Sequence, residues 1–381
     1  MFDLLLKGGR VMDPGRGVDR NADVAFEGGK VAAVDDGIEP GRARKTVDVG
    51  GRIVTPGLID LHTHVYWGGT SIGIDADTIA VRSGTTTFVD AGTAGAANML
   101  GFRKHVIERT RVRIVPYLNI SFAGIYAFSK NVMIGENTDI RMVDAREALA
   151  CARDHADIIC GMKVRVGRVA SGSNGAAAFH AAMDVADKIQ KPLMTHLDLP
   201  PPARHEVVPH LRRGDIITHC FKPFPNAPID GRRDIKPDVI EARKRGVIFD
   251  IGHGAGSLGF ETANAMIEQG FLPDVISSDV HVLCVNGPAY DLLATMSKFM
   301  ALGMTLEDVI RTATIEPAKT IDRSDLGSFA VGAAGDASVL ELREGKFRHV
   351  DVMGEGVDAH DHLFCDGIVI GGSWWPKDEA A

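Results

Sequence analysis

The sequence predicts an α/β protein with a (β/α)8 TIM barrel and a small β-sandwich domain built from both chain ends. Between residues 57 and 327, strand-like runs alternate with helical segments, which is typical of a parallel sheet covered by helices. Residues 1–56 and 328–381 instead carry short strand-like runs between glycine-rich turns. We therefore predict a barrel domain over residues 57–327 and a sandwich domain over residues 1–56 and 328–381.

Length and composition are those of an ordinary globular protein. The chain has 381 residues, of which 45% are hydrophobic and 24% charged, so it is long enough to bury a full barrel core. Its formal net charge of −8 argues against nucleic acid as a partner. No apolar run of the sequence approaches the ~20 residues that a membrane-spanning helix needs, so we expect no membrane partner.

The cysteines and the N-terminus indicate a cytoplasmic protein. Five cysteines are scattered along the chain without a CxxC pair, which favours a reducing compartment over a disulfide framework. The N-terminal apolar run is short and follows Asp3, whereas a signal peptide begins with basic residues. We therefore expect the protein to act in the cytoplasm.

The predicted elements differ between the two ends of the chain and its central part. The N-terminal strands are expected at residues 3–7, 10–12, 23–27, 30–34, 46–48 and 52–54, and the C-terminal ones at 338–342, 347–351 and 367–370. The barrel strands are expected at 58–64, 85–90, 112–120, 157–166, 193–197, 215–220, 247–252 and 274–279. The helices are expected at 78–83, 100–109, 143–155, 176–189, 237–245, 261–269, 290–302 and 306–314.

Two histidines end the first predicted barrel strand. Strand alternation places His62 and His64 on one face, about 6–7 Å apart along the backbone, where both could bind one metal ion. Taken alone, the pair could equally be two unrelated histidines at the edge of a loop. The other strands of the barrel must decide between these interpretations.

Several other predicted strands carry a metal-binding or ionisable residue near the C-terminal end, where barrels of this kind place their catalytic groups: Lys163, His196, His219 and Asp279. Imidazole and carboxylate are good ligands for zinc and related ions. A desolvated lysine has a lowered pKa, and its free amine can add CO₂ to give an anionic carbamate that could bridge two ions. Alternatively, Lys163 reaches the barrel rim or pairs with Asp279.

These motifs resemble the amidohydrolase superfamily, in its dihydroorotase/dihydropyrimidinase-like branch. The segment Pro56-Gly57-Leu58-Ile59-Asp60-Leu61-His62-Thr63-His64 matches the first-strand signature of that branch, and residues 327–339 match its C-terminal part. The resemblance implies two divalent metal ions, with zinc expected. It assigns the more buried ion to His62 and His64, the more exposed ion to His196 and His219, and the bridge to carboxylated Lys163.

The resemblance also implies the reaction. Asp279 would bind the buried ion, and it would act as general base and then general acid for the attack of a metal-bridging hydroxide on a carbonyl carbon. Dihydroorotases of this branch carry an arginine for the substrate carboxylate two residues after the second histidine, where this chain has Tyr66. Ordinary dihydroorotase activity is therefore not expected, although cyclic amide hydrolysis of the dihydroorotase or hydantoinase type stays an alternative.

The segment HTHVYWGGTSIGIDAD, from residue 62 to 77, most resembles dihydroorotase-like deacetylases. That resemblance implies hydrolysis of an acetyl ester or amide on a small α-substituted carboxylic acid, and it suggests a homo-oligomer. Arg165 shares a strand face with Lys163 and is our candidate for binding the carboxylate, unless it pairs with a rim acid such as Asp198.

Three further residues are candidates for the substrate pocket, and one glycine motif supports a rival function. His253, His281 and Tyr66 follow strand ends and could line the pocket. Residues 254–259 form a G-x-G-x-x-G between a predicted strand and helix, as in an NAD-dependent oxidoreductase. In that case Asp279 would bind a ribose, but the histidines and Lys163 would stay unexplained.

Overall fold

The computed structural model describes residues 1–377, so the last four residues of the predicted sandwich domain lie outside the described part. Its strands are β1 (Phe2–Asp13), β2 (Val18–Glu27), β3 (Lys30–Asp35), β4 (Ala43–Asp48), β5 (Ile53–Pro56), β6 (Leu58–Thr63), β7 (Thr85–Asp90), β8 (Arg113–Asn119), β9 (Gly161–Val166), β10 (Leu193–Leu197), β11 (Ile216–Ile217), β12 (Ile248–Phe249), β13 (Ala337–Val350), β14 (Gly356–Ile370) and β15 (Ser373–Pro376).

The α-helices lie mostly between the barrel strands, as predicted. They are α1 (Ala76–Ser83), α2 (Met99–Phe102), α3 (Ala145–Asp154), α4 (Ala177–Ile189), α5 (Pro237–Arg245), α6 (Phe260–Glu268), α7 (Leu292–Ala301), α8 (Leu306–Arg311) and α9 (Ile315–Thr320). Within residues 1–377, the structure contains no helix that combines the length and the apolar character needed to cross a membrane.

Local signals set the helix ends. Asp75 caps α1 because its carboxylate accepts the backbone N–H of Asp77, and Gly84 ends the helix with a left-handed φ of 66°. Helix α5 begins at Pro237, which needs no N–H partner in the first turn, and ends at Gly246 with a φ of 87°. Both helices therefore return the chain to the next strand at the predicted places.

Both chain ends join in one mixed sheet of eight strands, in the order β15-β14-β13-β5-β1-β2-β3, with β4 also paired to β1. The short strand β5 connects the ends, because it pairs with β1 in parallel and with β13 in antiparallel fashion. The joining of the ends was predicted from the sequence. The packing of this sheet as a sandwich stays a prediction.

Two predicted turns in this sheet are wrong. Residues 3–7 and 10–12 belong to the single strand β1, and the register shifts between Leu6 and Gly9. A Cβ atom on Gly9 would lie only 2.6 Å from the side chain of Val54, so the glycine allows an irregularity inside the strand rather than ending it. Strand β13 likewise runs through the predicted break, with a register shift between Glu344 and Phe347.

The central sheet has seven parallel strands in chain order, from β6 to β12. The eighth predicted strand, residues 274–279, is not a regular strand. It forms parallel bridges on both sides, between Asp250 and Val275 and between Thr63 and Val280. Asp279, at the end of the segment, has a left-handed φ of 48° rather than an extended backbone. The segment still lies between β12 and β6, which places Asp279 beside the first strand.

Candidate metal centre

His62, His64 and Asp279 converge at the C-terminal end of β6. The Oδ1 atom of Asp279 lies 3.3 Å from Nε2 of His62 and 3.2 Å from Nε2 of His64. All three side chains are buried. The backbone N–H of Asp279 donates to the carbonyl of His62 over 2.7 Å, so the segment that carries the acid is fixed to the strand that carries the histidine.

Thr218 determines which ring nitrogen of His62 carries the proton. Nδ1 of His62 lies 2.8 Å from Oγ1 of Thr218, whose hydroxyl donates to Oδ2 of Asp250 over 2.6 Å. Since the hydroxyl proton points to the carboxylate, the threonine oxygen must accept a hydrogen bond from the N–H group at Nδ1 of His62. The Nε2 atom of His62 therefore presents a lone pair to Asp279 and its surroundings.

His64 is held in the same manner by a second threonine. Its Nδ1 atom lies 2.8 Å from Oγ1 of Thr93, and the Thr93 hydroxyl donates to Oδ2 of Asp90 over 2.7 Å. The same carboxyl oxygen accepts the backbone N–H of Val65. Two buried aspartate–threonine–histidine chains thus leave two Nε2 lone pairs free on one side of β6.

These donors fit a divalent cation. Burial lowers the pKa of His64 to about 3, and burial also lowers the pKa of His62 well below its usual value, so both imidazoles are neutral. Oδ1 of Asp279 is buried and has no hydrogen-bond donor among the described residues. Nε2 of His62, Nε2 of His64 and Oδ1 of Asp279 thus face one another with lone pairs and with no hydrogen bond among them. Zinc and similar ions stabilise such an arrangement.

Lys163 lies on β9 next to this group and is fully buried rather than at the rim. Its Nζ atom is 3.4 Å from Nε2 of His62 and 3.4 Å from Sδ of Met194, and no carboxylate of residues 1–377 lies within 4 Å of it. Burial lowers the pKa of Lys163 to about 7. Gly92 touches its stem, since a Cβ atom there would lie 2.5 Å from Cβ of Lys163.

His196 and His219 form a second pair of imidazoles. Nδ1 of His196 lies 2.6 Å from Nε2 of His219, and the ring of His219 lies 5.1 Å from that of His62. Nδ1 of His219 donates to the carbonyl of Gly252 over 2.7 Å, which leaves Nε2 as the lone-pair nitrogen. A Cβ atom on Gly252 would lie 2.4 Å from Oγ1 of Thr218, so this loop requires glycine.

A cavity of about 30 Å³ connects these groups, lined by His62, His64, Ile72, Phe128, Lys163, Arg165, His196, His219, Asp279 and His281. Arg165 is buried in its wall and donates through Nη1 to Oε2 of Glu136 over 3.1 Å. The ion-pair partner of Arg165 is thus Glu136 rather than the rim acid Asp198. The guanidinium also lies 5.1 Å from the ring centroid of Phe128.

The other candidate pocket residues have different positions. His281 lines the cavity, and its ring lies 5.6 Å from that of Phe128 in an edge-to-face arrangement. His253 does not line the cavity. Its Nε2 atom instead accepts a hydrogen bond from Nζ of Lys298 over 2.6 Å. Tyr66 does not line it either, and its ring stacks on that of Phe102 at 4.6 Å.

The glycine motif belongs to this centre. A Cβ atom on Gly254 would lie 2.2 Å from Oδ2 of Asp279, so the glycine lets the loop after β12 pass against that carboxylate. Asp279 faces His62 and His64 rather than a ribose site. This geometry gives Asp279 a place among the histidines and gives no support to the dinucleotide-binding alternative.

Sequence reasoning did not find the residues that orient the histidines. Thr93, Thr218, Asp90 and Asp250 are buried but show no spacing that distinguishes them from core residues. Thr218 directly precedes His219, and that adjacency is the one signal available. Glu136 lies in the long connection between β8 and α3, where no periodic pattern indicates its contact with Arg165.

Comparisons with known proteins identify the family of this chain. The profile of the amidohydrolase family matches residues 53–211 and 242–371. A deacetylase of Agrobacterium fabrum is 34% identical over 343 residues, which cover 90% of this chain and 84% of the relative.

Two solved structures have the same fold along nearly the whole chain. A structure described as an adenine deaminase has a TM-score of 0.92 at 29% identity and covers 99% of this chain and 100% of its own. A structure described as a dihydroorotase has a TM-score of 0.89 at 32% identity, with coverages of 98% and 97%. The chain therefore belongs to the amidohydrolase family, and it is a hydrolase.

Proposed function

We propose that this chain is a deacetylase that hydrolyses an acetyl ester or amide of a small α-substituted carboxylic acid and depends on two divalent metal ions, zinc in the first place. The observation that carries the proposal is the convergence of Asp279 Oδ1 on the Nε2 atoms of His62 and His64. The similarity to a protein named deacetylase over 90% of the chain supports the reaction class.

The donors divide into two sets. His62, His64 and Asp279 would hold one ion, and His196 and His219 would hold the other. Lys163 lies next to His62, where its amine could add CO₂, lose a proton and become an anionic carbamate that belongs to both sets. Bound divalent ions supply polarisation of the acyl carbonyl and acidification of water.

Asp279 would carry the proton. Its Oδ1 atom faces the two histidines, whereas Oδ2 lies on the side of Gly254 and is free to accept a proton from the attacking water. The same atom would then return the proton to the leaving alkoxide or amine. Burial raises the pKa of Asp279 to about 6, which suits a group that takes and gives a proton near neutral pH.

The lining of the cavity combines apolar and cationic side chains, as a small acyl group next to a carboxylate requires. Phe128 and Ile72 supply apolar surface, and Arg165 supplies a cation. Glu136 neutralises Arg165, whereas Lys222 is partly buried and has no acidic partner within 4 Å among the described residues. Lys222 is not among the residues that line the cavity, but burial and then the charge of Lys222 lower the pKa of His219. Because its charge acts on the metal centre, we propose Lys222 as a second carboxylate anchor beside Arg165.

Cyclic amide hydrolysis is the second candidate function. Its support is the likeness to the structure described as a dihydroorotase. Tyr66 weakens it, because this residue replaces the arginine expected in dihydroorotases and its ring packs on Phe102 instead of lining the cavity.

A direct comparison of substrates tests the proposal. We expect turnover of one enantiomer of O-acetyl α-hydroxy acids or N-acetyl α-amino acids, with little turnover of dihydroorotate and hydantoins. Each substrate should be assayed with zinc-loaded protein and with protein treated with a chelator. Turnover of the rings alone would contradict the deacetylase proposal and favour the second candidate.

A further inference from the structure

A second cavity of about 380 Å³ lies between α7, the loop that precedes it and the β13–β14 hairpin. It shares no lining residue with the metal centre. Its lining residues are Gly287, Pro288, Tyr290, Ala294, Lys298, Phe347, Arg348, His349, Val350 and His362. The volume lies within the ~300–1,000 Å³ range of sites for small organic molecules.

Lys298 lines this cavity and is almost fully buried. Its Nζ atom donates to Nε2 of His253 over 2.6 Å, to the carbonyl of Pro288 over 2.6 Å and to the carbonyl of Val350 over 3.0 Å. Three acceptors match the three protons of an ammonium group. All three acceptors are neutral, so no acid contacts this amine, and burial lowers the pKa of Lys298 to about 7.

Two imidazoles of the same cavity have unused polar atoms. The rings of His349 and His362 stack with centroids 5.3 Å apart. Nε2 of His349 and Nδ1 of His362 are buried and lack a hydrogen-bond partner among residues 1–377. A neutral imidazole carries one N–H group and one lone pair, and a buried nitrogen of either kind is destabilised when it lacks a partner.

The remaining lining is apolar, aromatic or already paired. Phe347 and Tyr290 supply aromatic surface, and Ala294 leaves space on the α7 side. Arg348 donates to Asp358 over 2.8 Å, so its charge is balanced. The lining includes no aspartate or glutamate, and Lys298 is therefore the one lysine or arginine of this lining without an acidic contact.

We propose that this cavity is a binding site for a small organic carboxylate with an apolar or aromatic body. The carboxylate would balance the charge of Lys298 and accept N–H groups from His349 and His362, while its apolar body packs on Phe347 and Tyr290. One ligand would thus supply both the missing acidic group for Lys298 and hydrogen-bond partners for the two histidines. The site goes beyond the proposed hydrolytic function and does not depend on it.

Lys298 also ties the cavity to the loop that passes the metal centre. Its partner His253 stands between Gly252 and Gly254, which approach Thr218 and Asp279. The backbone N–H of His253 donates to the carbonyl of Ser277 over 3.2 Å. One buried ammonium therefore contacts both the cavity and the loop.

Isothermal titration of the metal-loaded full chain with benzoate tests the proposal, with benzyl alcohol as the neutral probe of similar shape. We expect benzoate to bind at least tenfold more tightly than benzyl alcohol. Lys298→Met should weaken benzoate binding at least tenfold. Ala294→Leu should do the same by filling the cavity, and it removes neither a charge nor a hydrogen bond if Lys298→Met fails to fold.

The double variant Arg165→Met/Glu136→Gln separates this cavity from the metal centre, because Arg165 lines only the latter and neither residue is left unpaired. Benzoate affinity that survives this double variant and is lost in Ala294→Leu supports the proposal. Absence of benzoate binding, equal binding of benzyl alcohol, or binding unaffected by Ala294→Leu would overturn it. None of these results depends on which substrate the enzyme hydrolyses, so the site can fail while the proposed function stands.

Discussion

Oγ1 of Thr218 lies 2.8 Å from Nδ1 of His62, and this contact decides which nitrogen of the histidine is free to bind a metal. The threonine can accept the Nδ1 proton because its own proton goes to Asp250. We predict that Thr218→Val, which has nearly the same shape, weakens metal affinity about 10- to 100-fold by releasing the ring and its tautomer. Competition with a chromophoric chelator measures this affinity.

Thr218→Ser is the matched control, since it keeps the hydroxyl and loses only a methyl group. It should bind metal within about threefold of the unmodified chain, because the histidine keeps its acceptor. Equal metal affinities for the valine and serine variants would show that the threonine only fills space.

Lys163 should be required for the paired site. Lys163→Ala removes the group that lies between His62 and Met194, so we expect metal content to fall towards one ion per chain and kcat/KM to fall by about 100-fold or more. Acetate or propionate should restore part of the rate by supplying a carboxylate in the space of the missing side chain. Full metal content and full rate in the alanine variant would contradict the bridging role.

Lys222 should bind the carboxylate of the substrate without affecting the chemical step. We predict that Lys222→Met raises KM about tenfold, which corresponds to a loss of ~1.4 kcal/mol, and leaves kcat nearly unchanged. The matched measurement uses the methyl ester of the same substrate, whose KM should not respond to the substitution. An equal change for the acid and its methyl ester would remove Lys222 from carboxylate recognition.

Arg165 requires a paired design because it contacts the buried Glu136. Arg165→Met leaves that acid unpaired, and we expect a loss of about 3–5 kcal/mol in the free energy of unfolding as well as a higher KM. The double variant Arg165→Met/Glu136→Gln should recover most of the stability, as followed by urea denaturation. A KM that stays high in the stable double variant assigns Arg165 to substrate binding, and a normal KM assigns it to structure.

His349 should make the protein sensitive to acid. Burial lowers the pKa of His349 from its ordinary value of 6.5 to about 4. Between these two values the unfolded chain binds more protons than the folded one, so the free energy of unfolding falls as the pH falls through this range. We expect His349→Gln to lose about 1 kcal/mol less than the unmodified chain between pH 7 and pH 5. Urea denaturation at both pH values gives the difference, and parallel losses would contradict this role.

The alternation of strands and helices predicted the central architecture because each barrel strand carries its own apolar run and its own helix. Segment 274–279 shows the limit of that reasoning. Its apolar residues predicted a strand, but Ser278 donates its backbone N–H to the carboxylate of Asp60 over 2.9 Å instead of to a neighbouring carbonyl. A buried side chain from a strand more than 200 residues away cannot be inferred from local periodicity.

The site could be predicted in part for a similar reason. His64 and Asp279 end predicted strands, and topology alone brings the ends of parallel strands to one face. Thr218 and Glu136 act through single long-range contacts that have no sequence period. His253 shows the reverse case, because its position after a strand suggested the pocket, whereas the structure pairs it with Lys298.

Metal analysis of protein purified without chelators shows whether the histidines, Lys163 and Asp279 form a paired metal site. We predict close to two divalent ions per chain, a fall towards one in Lys163→Ala, and loss of hydrolysis when both ions are removed. Full hydrolytic activity of protein with no bound divalent metal would contradict it.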